Sequence, residues 1–253
     1  MAGLFDEKVA LVTGGSSGIG RSASLAFARE GAAVVVAARR TEEGEETAEL
    51  IKKAGGQATF IQTDVSEEAQ VQTLVEGTLQ RFDQLDFAFN NAGIEGTPFV
   101  SIEDDTEENW DAVIDINLKG VWLCMKHQIP ALLNQPDSAI VNMSSVAGLK
   151  GGTLGAPYYA SKHGVIGLTR AAAIEYADRG LRVNAVCPAV IMTPMADRAF
   201  FSDPEQEARV KGMHPLGRLG TPDEVADAVV WLCSDSSSFV TGHALPIDGG
   251  LVV

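Results

Sequence analysis

The chain has 253 residues, of which 45% are hydrophobic and 21% are charged. This length and composition are typical of one globular domain with a sizeable core, and they exclude a disordered or low-complexity chain. Because 34 acidic residues outnumber 19 basic ones, the net charge is −15, which argues against nucleic acid or an anionic membrane as a partner, both being polyanions.

Cysteine and histidine spacing gives no framework for a metal site. The three cysteines are far apart without a Cys-x-x-Cys pair, and the four histidines lack ligand spacing. Cys124 and His127 could share a helix face and are interpreted as a packed or surface pair. The first residues lack a charged leader before an apolar stretch, and no run reaches the roughly 20 apolar residues of a membrane helix. We therefore expect a cytoplasmic protein without a metal.

Short runs rich in β-branched residues recur along the chain and predict seven strands. Several of the runs are apolar at every position, as is typical of strands buried on both faces of a parallel sheet. The runs lie at residues 9–13, 33–37, 58–62, 85–90, 139–143, 181–186 and 244–247.

Helical stretches with recognisable starts separate these runs. The sequence TPDE at residues 221–224 supplies an N-cap, a proline at the first helical position and a capping-box glutamate. Acidic residues follow Ser66 and Thr106, where the helix dipole favours negative charge. Strand and helix alternate at about 25 residues per unit, which predicts an α/β fold with a doubly wound parallel sheet and helices on both faces. Ligands of such sheets bind outside the carboxyl ends of the strands.

The sequence TGGSSGIG at residues 13–20 joins the first predicted strand to the first predicted helix. A helix N-terminus presents unpaired N–H groups and a partial positive charge, which suit a phosphate. Gly14, Gly18 and Gly20 would let that phosphate approach the backbone closely. The alternative is a tight strand–helix turn. The helix that follows is expected to end at Gly31.

Four further motifs occur in order: NNAG at 90–93, NMSS at 142–145, YYASK at 158–162 and PIDGG at 246–250. Together with the TGxxxGxG pattern of the glycine loop, they resemble the short-chain dehydrogenase/reductase family over essentially the whole chain. The resemblance implies a single Rossmann-type domain over residues 1–253, a nicotinamide cofactor, and hydride transfer between an alcohol and a carbonyl.

Tyr158 and Lys162 are four residues apart and therefore share one face of a helix. A phenol with a reference pKa of about 10 is a poor base at neutral pH, but a neighbouring ammonium stabilises the phenolate and should lower that pKa. Tyr158 could then exchange the proton of the alcohol. Ser145, at the exit of the fifth strand, could hydrogen-bond the substrate oxygen. By resemblance, Asn117 completes the catalytic set through a water that connects to Lys162.

Two neighbours of these residues are weaker candidates. Tyr159 meets His163 rather than a lysine four residues on. The family's spacing to the tyrosine selects Ser145 over Ser144, so Ser144 is expected to bond the backbone. A Tyr-x-x-x-Lys pair on its own would also fit a solvated surface pair.

Other segments are assigned to the cofactor by the resemblance. Asp64 and Val65 are the expected adenine contact, residues 91–93 line the cofactor, and the segment CPAVIMTPM embraces the nicotinamide amide. The chain departs from the family pattern at Ala189, where glycine is usual, and a positive φ there would be strained. The complete set of expected cofactor contacts is Gly14, Ser16, Ser17, Gly18, Ile19, Gly20, Arg39, Arg40, Asp64, Val65, Asn91, Ala92, Gly93, Tyr158, Lys162, Pro188, Ile191 and Thr193.

The end of the second strand bears on the choice of cofactor. Dinucleotide-binding folds often place an acid there to bond the ribose hydroxyls, but this chain has Ala38, followed by Arg39 and Arg40. A guanidinium binds a 2′-phosphate through two donors. We therefore expect NADP(H) to be preferred. NAD(H) stays possible because Glu42 and Glu43 lie nearby and an arginine here could simply be solvated.

Residues 194–219 are identified by the resemblance as a flap over the substrate. Their apolar content predicts a mainly apolar pocket for a ketone or secondary alcohol. The phenylalanines could instead pack the flap down or face a partner subunit. The apolar residues considered are Met195, Phe200, Phe201 and Met213 on the flap, and Leu149 and Leu154 on the opposite wall.

Other functions and an assembly remain open from the sequence. A 3-oxoacyl-acyl-carrier-protein reductase should show a basic patch for its acidic partner, but residues 126–139 carry a single lysine. A cofactor-sensing regulator or scaffold would be expected to have lost Tyr158 or Lys162, and both are present. The resemblance also implies a homotetramer, with the helices around residues 106–130 and 158–178 packed between subunits.

Overall fold

The structure is a computed structural model that describes residues 3–200 and 204–253. Within these residues, seven strands form one parallel sheet in the order β3-β2-β1-β4-β5-β6-β7. The strands are β1 Val9–Thr13, β2 Ala33–Ala38, β3 Ala58–Gln62, β4 Phe87–Asn90, β5 Ala139–Met143, β6 Arg182–Pro188 and β7 Ala244–Ile247. The predicted fold class and all seven predicted strands are therefore confirmed.

The α-helices alternate with the strands, as the sequence predicts. A π-helical turn, Asp115–Lys119, joins two of them into one continuous helical run. The α-helices of the described residues are α1 Gly18–Arg29, α2 Thr41–Lys53, α3 Glu68–Phe82, α4 Glu107–Ile114, α5 Gly120–Leu132, α6 Ala156–Tyr176, α7 Pro194–Phe200, α8 Pro204–Gly212 and α9 Pro222–Cys233.

The predicted helix ends have local causes. The Thr221 side chain accepts a hydrogen bond from the Glu224 N–H, and the Glu224 carboxylate accepts one from the Thr221 N–H at 2.8 Å, which completes a capping box. Thr106 caps α4 in the same way by accepting from the Asn109 N–H at 3.1 Å. After α1, Gly31 turns the chain with a φ of +98°, a conformation that favours glycine.

Both faces of the sheet are covered by helices. Along β1, Ala10 and Val12 pack into a core with α1, α2 and α9, whereas Val9 and Leu11 pack into a second core with α3, α5 and α6. Successive strand residues point to opposite faces. This double coverage explains why β1 is apolar at every one of these positions.

A buried amide network ties the sheet to the helices below the carboxyl ends of β4 and β5. Asn90 Nδ2 donates to Gln128 Oε1 at 3.1 Å and to Asn142 Oδ1 at 3.0 Å, and Gln128 Nε2 donates to Asn90 Oδ1 at 2.9 Å. Asn142 Nδ2 donates to Thr169 Oγ1 at 3.0 Å. Since all four side chains are buried and hydrogen-bonded, the network fixes β4 and β5 against α5 and α6.

The strand order determines where a ligand can bind. β1 pairs with β2 on one side and with β4 on the other, so the connections after β1 and β4 leave the sheet in opposite directions. Such a switch point opens a crevice at the carboxyl ends of the strands. Among the described residues, no helix has both the length and the apolarity needed to span a membrane.

Candidate active site

A cleft of about 490 Å³ opens at this switch point. It brings together most of the predicted site residues from distant parts of the chain. Gly20 and Asn117 do not line the cleft, because both are buried just behind its wall. The predicted residues that line it are Gly14, Ser16, Ser17, Gly18, Ile19, Arg39, Arg40, Asp64, Val65, Asn91, Ala92, Gly93, Ser145, Tyr158, Lys162, Pro188, Ile191 and Thr193.

The glycine loop forms one end of the cleft and packs closely on itself. Gly14 has a φ of +67°, and a Cβ at Gly20 would overlap the Gly14 carbonyl oxygen, so the turn itself requires both glycines. Gly18 lies in the cleft wall, where a Cβ would lie 3.2 Å from Thr193 Cγ2. The N-cap residue Ser17 makes no side-chain cap, which leaves the first-turn N–H groups of α1 without that partner. These donors fit the pyrophosphate of a dinucleotide.

Three predicted catalytic side chains meet in the middle of the cleft. Ser145 Oγ donates to the Pro188 carbonyl oxygen at 3.4 Å and accepts from the Ala147 N–H at 3.1 Å, and the Ser145 hydroxyl is near enough to Tyr158 to lower the pKa of its phenol. Lys162 Nζ lies 5.6 Å from the centroid of the Tyr158 ring and donates to the Met143 carbonyl oxygen at 3.0 Å. The serine thus approaches the phenol from the segment that follows β5, and the lysine approaches it from α6.

The electrostatics of the phenol correct one expectation. Burial raises the pKa of Tyr158 to about 12; the Ser145 hydroxyl opposes this shift and the Glu95 carboxylate adds to it. Burial also lowers the pKa of Lys162 to about 8. The expected lowering of the Tyr158 pKa is therefore wrong for the protein alone, because desolvation of the buried phenol has the largest effect on its pKa. Tyr158 is protonated at neutral pH.

Asn117 lies in the π-helical turn between α4 and α5, a feature often found at functional sites. Its Oδ1 accepts from the Ile94 N–H at 2.8 Å, and its Nδ2 donates to the Ile94 carbonyl oxygen at 2.9 Å. A Cβ at Gly93 would lie 3.1 Å from Asn117 Oδ1 and 3.7 Å from Lys162 Nζ. Asn117 therefore holds the segment after β4 against the lysine, and its link to Lys162 through a water stays a prediction.

The two arginines after β2 border the cleft beside the glycine loop. Arg39 Nη1 lies 3.8 Å from Asp64 Oδ2. Arg40 Nη2 donates to the hydroxyls of Ser16 and Ser17 at 3.1 and 2.7 Å, and its Nη1 donates to Glu43 Oε1 at 3.1 Å. Both guanidinium groups are partly neutralised by neighbouring carboxylates and remain exposed.

The weaker candidates have structural roles. Ser144 Oγ donates to the Lys162 carbonyl oxygen at 2.9 Å, which confirms its predicted backbone bond. Ala189 does not have a positive φ, and its N–H donates to the Ile247 carbonyl oxygen at 3.1 Å, so the expected strain is absent at this residue. Cys124 is buried, while His127 Nε2 lies 3.2 Å from an oxygen of Glu68.

The end of the cleft next to α7 contains only part of the apolar residues that the sequence predicts for a substrate pocket. Leu154, Met195 and Phe200 line it, whereas Leu149 and Met213 lie outside it and are exposed. Phe201 falls outside the described residues. Sequence reasoning named only apolar side chains on the flap and missed other lining residues, namely Thr63, Ile94, Glu95, Ile116, Met143, Val146, Ala196 and Arg198. The position of Glu95 at a strand exit, two residues after NNAG, is a signal that could have identified it.

Known proteins resemble this chain over nearly its whole length. Residues 14–252 match a family model described as enoyl-(acyl carrier protein) reductase. The chain is 44% identical to cyclohexanol dehydrogenase of Acinetobacter sp., over 98% of this chain and 96% of that protein. It is 40% identical to 3-oxoacyl-(acyl-carrier-protein) reductase of Thermotoga maritima, over 98% and 99% of the two chains. The solved structure of levodione reductase superposes with a TM-score of 0.92 at 36% identity and covers 97% of each chain.

Proposed function

Because the chain belongs to the short-chain dehydrogenase/reductase family, whose alcohol- and ketone-converting members it resembles, we propose that it interconverts a secondary alcohol and a ketone and prefers NADP(H) to NAD(H). The observation that carries this proposal is the convergence of Ser145, Tyr158 and Lys162 on one cleft at the carboxyl ends of the sheet. The chain is an NAD(P)-dependent enzyme of the alcohol dehydrogenase and carbonyl reductase type. This assignment argues against the alternative of a regulator or scaffold without enzymatic activity.

Tyr158 is the proposed acid and base. In reduction its hydroxyl donates a proton to the carbonyl oxygen, and in oxidation its phenolate accepts the proton of the alcohol. With a pKa of about 12, the phenol of the protein alone is in the acid form that reduction requires. Ser145 would hold the substrate oxygen beside the phenol, because both side chains line the same cleft and the Ser145 hydroxyl is near enough to lower the Tyr158 pKa. The bound cofactor would supply or remove the hydride at the substrate carbon.

Lys162 is proposed to favour the phenolate when oxidation requires it. Its ammonium lies 5.6 Å from the Tyr158 ring centroid, a distance at which opposite charges still attract in a site shielded from water. Since burial lowers the lysine pKa to about 8, this support weakens as the pH rises above that value. Asn117 supports the arrangement from behind by fixing Ile94.

The residues along the cleft suit a dinucleotide in an extended form. The glycine loop and the first turn of α1 would hold the pyrophosphate, and Asp64 with Val65 would contact the adenine. Residues 91–93, together with Pro188, Ile191 and Thr193, would surround the nicotinamide end. Arg39 is the proposed partner of the 2′-phosphate, because its only ion pair among the described residues, with Asp64, is long at 3.8 Å.

The proposed substrate is a small cyclic secondary alcohol or the matching ketone. Apolar side chains line the end of the cleft next to α7, including Ile94, Leu154, Met195 and Phe200. They would contact a hydrocarbon ring. The 44% identity to a cyclohexanol dehydrogenase supports the same class. Residues 194–219, which contain α7 and α8, are the proposed flap.

Reduction of a 3-oxoacyl group on acyl carrier protein is the second candidate function. The relative from Thermotoga maritima supports it at 40% identity. An acidic carrier protein requires a basic docking surface, whereas the chain carries a net charge of −15 and a single lysine within residues 126–139. Comparing kcat/KM for acetoacetyl-acyl-carrier-protein and for cyclohexanone discriminates the two candidates.

The experiment that tests the proposal pairs two cofactors with two substrates. Purified protein is assayed for cyclohexanol oxidation and cyclohexanone reduction with NADP(H) and with NAD(H), and cofactor binding is followed by fluorescence. We expect turnover in both directions and tighter binding of NADPH than of NADH. Equal or tighter NADH binding would contradict the cofactor preference, and turnover of neither substrate would contradict the substrate class.

A homotetramer is proposed as the assembly. Large apolar side chains lie exposed on the helices that would pack between subunits: Trp110 on α4, Trp122 on α5 and Ile174 on α6. Light scattering of the wild type and of Ile174→Glu would test this assembly. A wild-type mass of one subunit would contradict it.

A further inference from the structure

Two charged side chains lie in the apolar substrate end of the cleft. Glu95 follows β4, Arg198 belongs to α7, and Arg198 Nε donates to Glu95 Oε1 at 2.8 Å. Both residues line the cleft. The Glu95 side chain is 22% exposed and the Arg198 side chain 61% exposed, so the carboxylate is the inner member of the pair and the guanidinium the outer one.

The backbone beside Glu95 is fixed next to the proposed catalytic residues. Asn117 bonds both the N–H and the carbonyl oxygen of Ile94, the residue before Glu95. One residue earlier, Gly93 is close enough to Lys162 that an added Cβ would lie 3.7 Å from Nζ. The backbone that carries Glu95 is therefore anchored in the cleft that Tyr158 also lines, and the Glu95 carboxylate is held there by Arg198.

We propose that Glu95 and Arg198 are positioning residues for the proton transfer at Tyr158: the carboxylate opposes ionisation of the phenol, and the guanidinium cancels most of that opposition by pairing with the carboxylate. The inference rests on the proposed role of Tyr158. Its physical basis is that a negative charge disfavours a second one nearby, more strongly where water is excluded. In agreement, the Glu95 charge adds to the high pKa of Tyr158.

The other groups around Tyr158 do not take over the charge effect that we propose for Glu95 and Arg198. Lys162 lies on the same helix and keeps its place in every variant considered below. Tyr159 is a phenol whose pKa burial raises, so it stays neutral at neutral pH. The groups that face Tyr158 or the ion pair, besides Glu95 and Arg198, are Lys162, Tyr159, Ser145 and Asp197.

Two substitutions that break the same ion pair should have opposite effects. Glu95→Gln removes the negative charge, so the ionisation that limits alcohol oxidation should move to lower pH. Arg198→Gln leaves the carboxylate unpaired, so the same ionisation should move to higher pH. Each shift is expected to be about half to one pH unit. In the double variant the ionisation should return close to the wild-type value.

Controls separate this charge effect from a loss of packing. Arg198→Lys keeps the charge and should restore the wild-type profile. Arg29→Gln removes one exposed positive charge from α1 outside the cleft and the proposed flap, and should leave the profile unchanged. Ultraviolet difference titration of each variant against its Tyr158→Phe counterpart measures the one phenol without turnover.

The outcomes are distinct. Opposite shifts in the two single variants support the proposal. Shifts in the same direction, or no shift in either variant, would overturn it, because a purely structural ion pair responds alike to the loss of either partner. Retained turnover in Tyr158→Phe alone would instead overturn the proposed function on which this inference rests.

Discussion

Ser145 and Lys162 stand on one wall of the cleft, Phe200 and Arg198 on the other, and different contacts hold the two walls. On the first, which we term the inner wall, Lys162 is 3% exposed and is bonded to the backbone of β5. On the second, the flap wall, α7 reaches the rest of the cleft through the Arg198–Glu95 ion pair and an edge-on contact of the Phe200 and Phe99 rings at 6.1 Å.

The difference matches the demands placed on each wall. Proton and hydride transfer need atoms held within a fraction of an ångström, which buried hydrogen bonds on sheet and helix can provide. A substrate must enter and leave, so its wall can rest on exposed contacts. Phe99 illustrates this, because it is 53% exposed and has a φ of +64°, a conformation unfavourable for a bulky residue.

Removing the lysine from the inner wall should have the largest effect. In Lys162→Met, the ammonium near the phenol and the partner of the Met143 carbonyl are both lost. We expect kcat for alcohol oxidation to fall by about 10²–10⁴-fold. Lys126→Met, which removes an exposed ammonium outside the cleft, is the matched control. A kcat within tenfold of the wild type would show that the lysine does not take part.

A substitution in the buried amide network tests whether the stability of the inner wall depends on the hydrogen bonds beneath it. Asn142→Leu leaves Asn90 and Thr169 without one partner each, and should lower the free energy of unfolding by about 2–4 kcal/mol. Urea unfolding measures the loss. Asn134→Leu, at an exposed position, should change it by less than about 0.5 kcal/mol. Equal effects of the two substitutions would refute a role for the network.

At the cofactor end of the cleft, the preference for NADPH is proposed to depend on the exposed guanidinium of Arg39. Arg39→Gln should weaken NADPH binding by about 1.5–3 kcal/mol, the usual worth of a charged hydrogen bond, and leave NADH binding unchanged. Fluorescence titration measures both. Arg29→Gln, on α1 and outside the cleft, should alter neither affinity. Parallel losses for NADPH and NADH would speak against recognition of the 2′-phosphate.

A substitution on the flap wall should have the smallest effect on the kinetics. Phe99→Ala removes a ring contact worth about 0.5–1.5 kcal/mol, so KM for the ketone should rise roughly 2–10-fold while kcat stays constant. Phe239→Ala, at a fully exposed ring outside the cleft, should leave KM unchanged. A large drop in kcat for Phe99→Ala would mean that the two walls are not separate in function.

The inner wall was predictable because its signals are local. Four-residue spacing put Tyr158 and Lys162 on one helix face, and unbroken apolar runs marked the buried strands. The errors concern properties that depend on distant parts of the chain. Desolvation of Tyr158 reverses the expected pKa shift, and Glu95 and Arg198 meet although 103 residues separate them. Apolar character alone could not tell that Met213 faces away from the cleft.

The most direct test of the account is the rate of hydride transfer in a single turnover of Tyr158→Phe at saturating cofactor. The account predicts that the rate falls by about 10²–10⁴-fold, while the cofactor dissociation constant keeps its wild-type value. A rate within tenfold of the wild type would contradict the account, because proton transfer would then not pass through Tyr158.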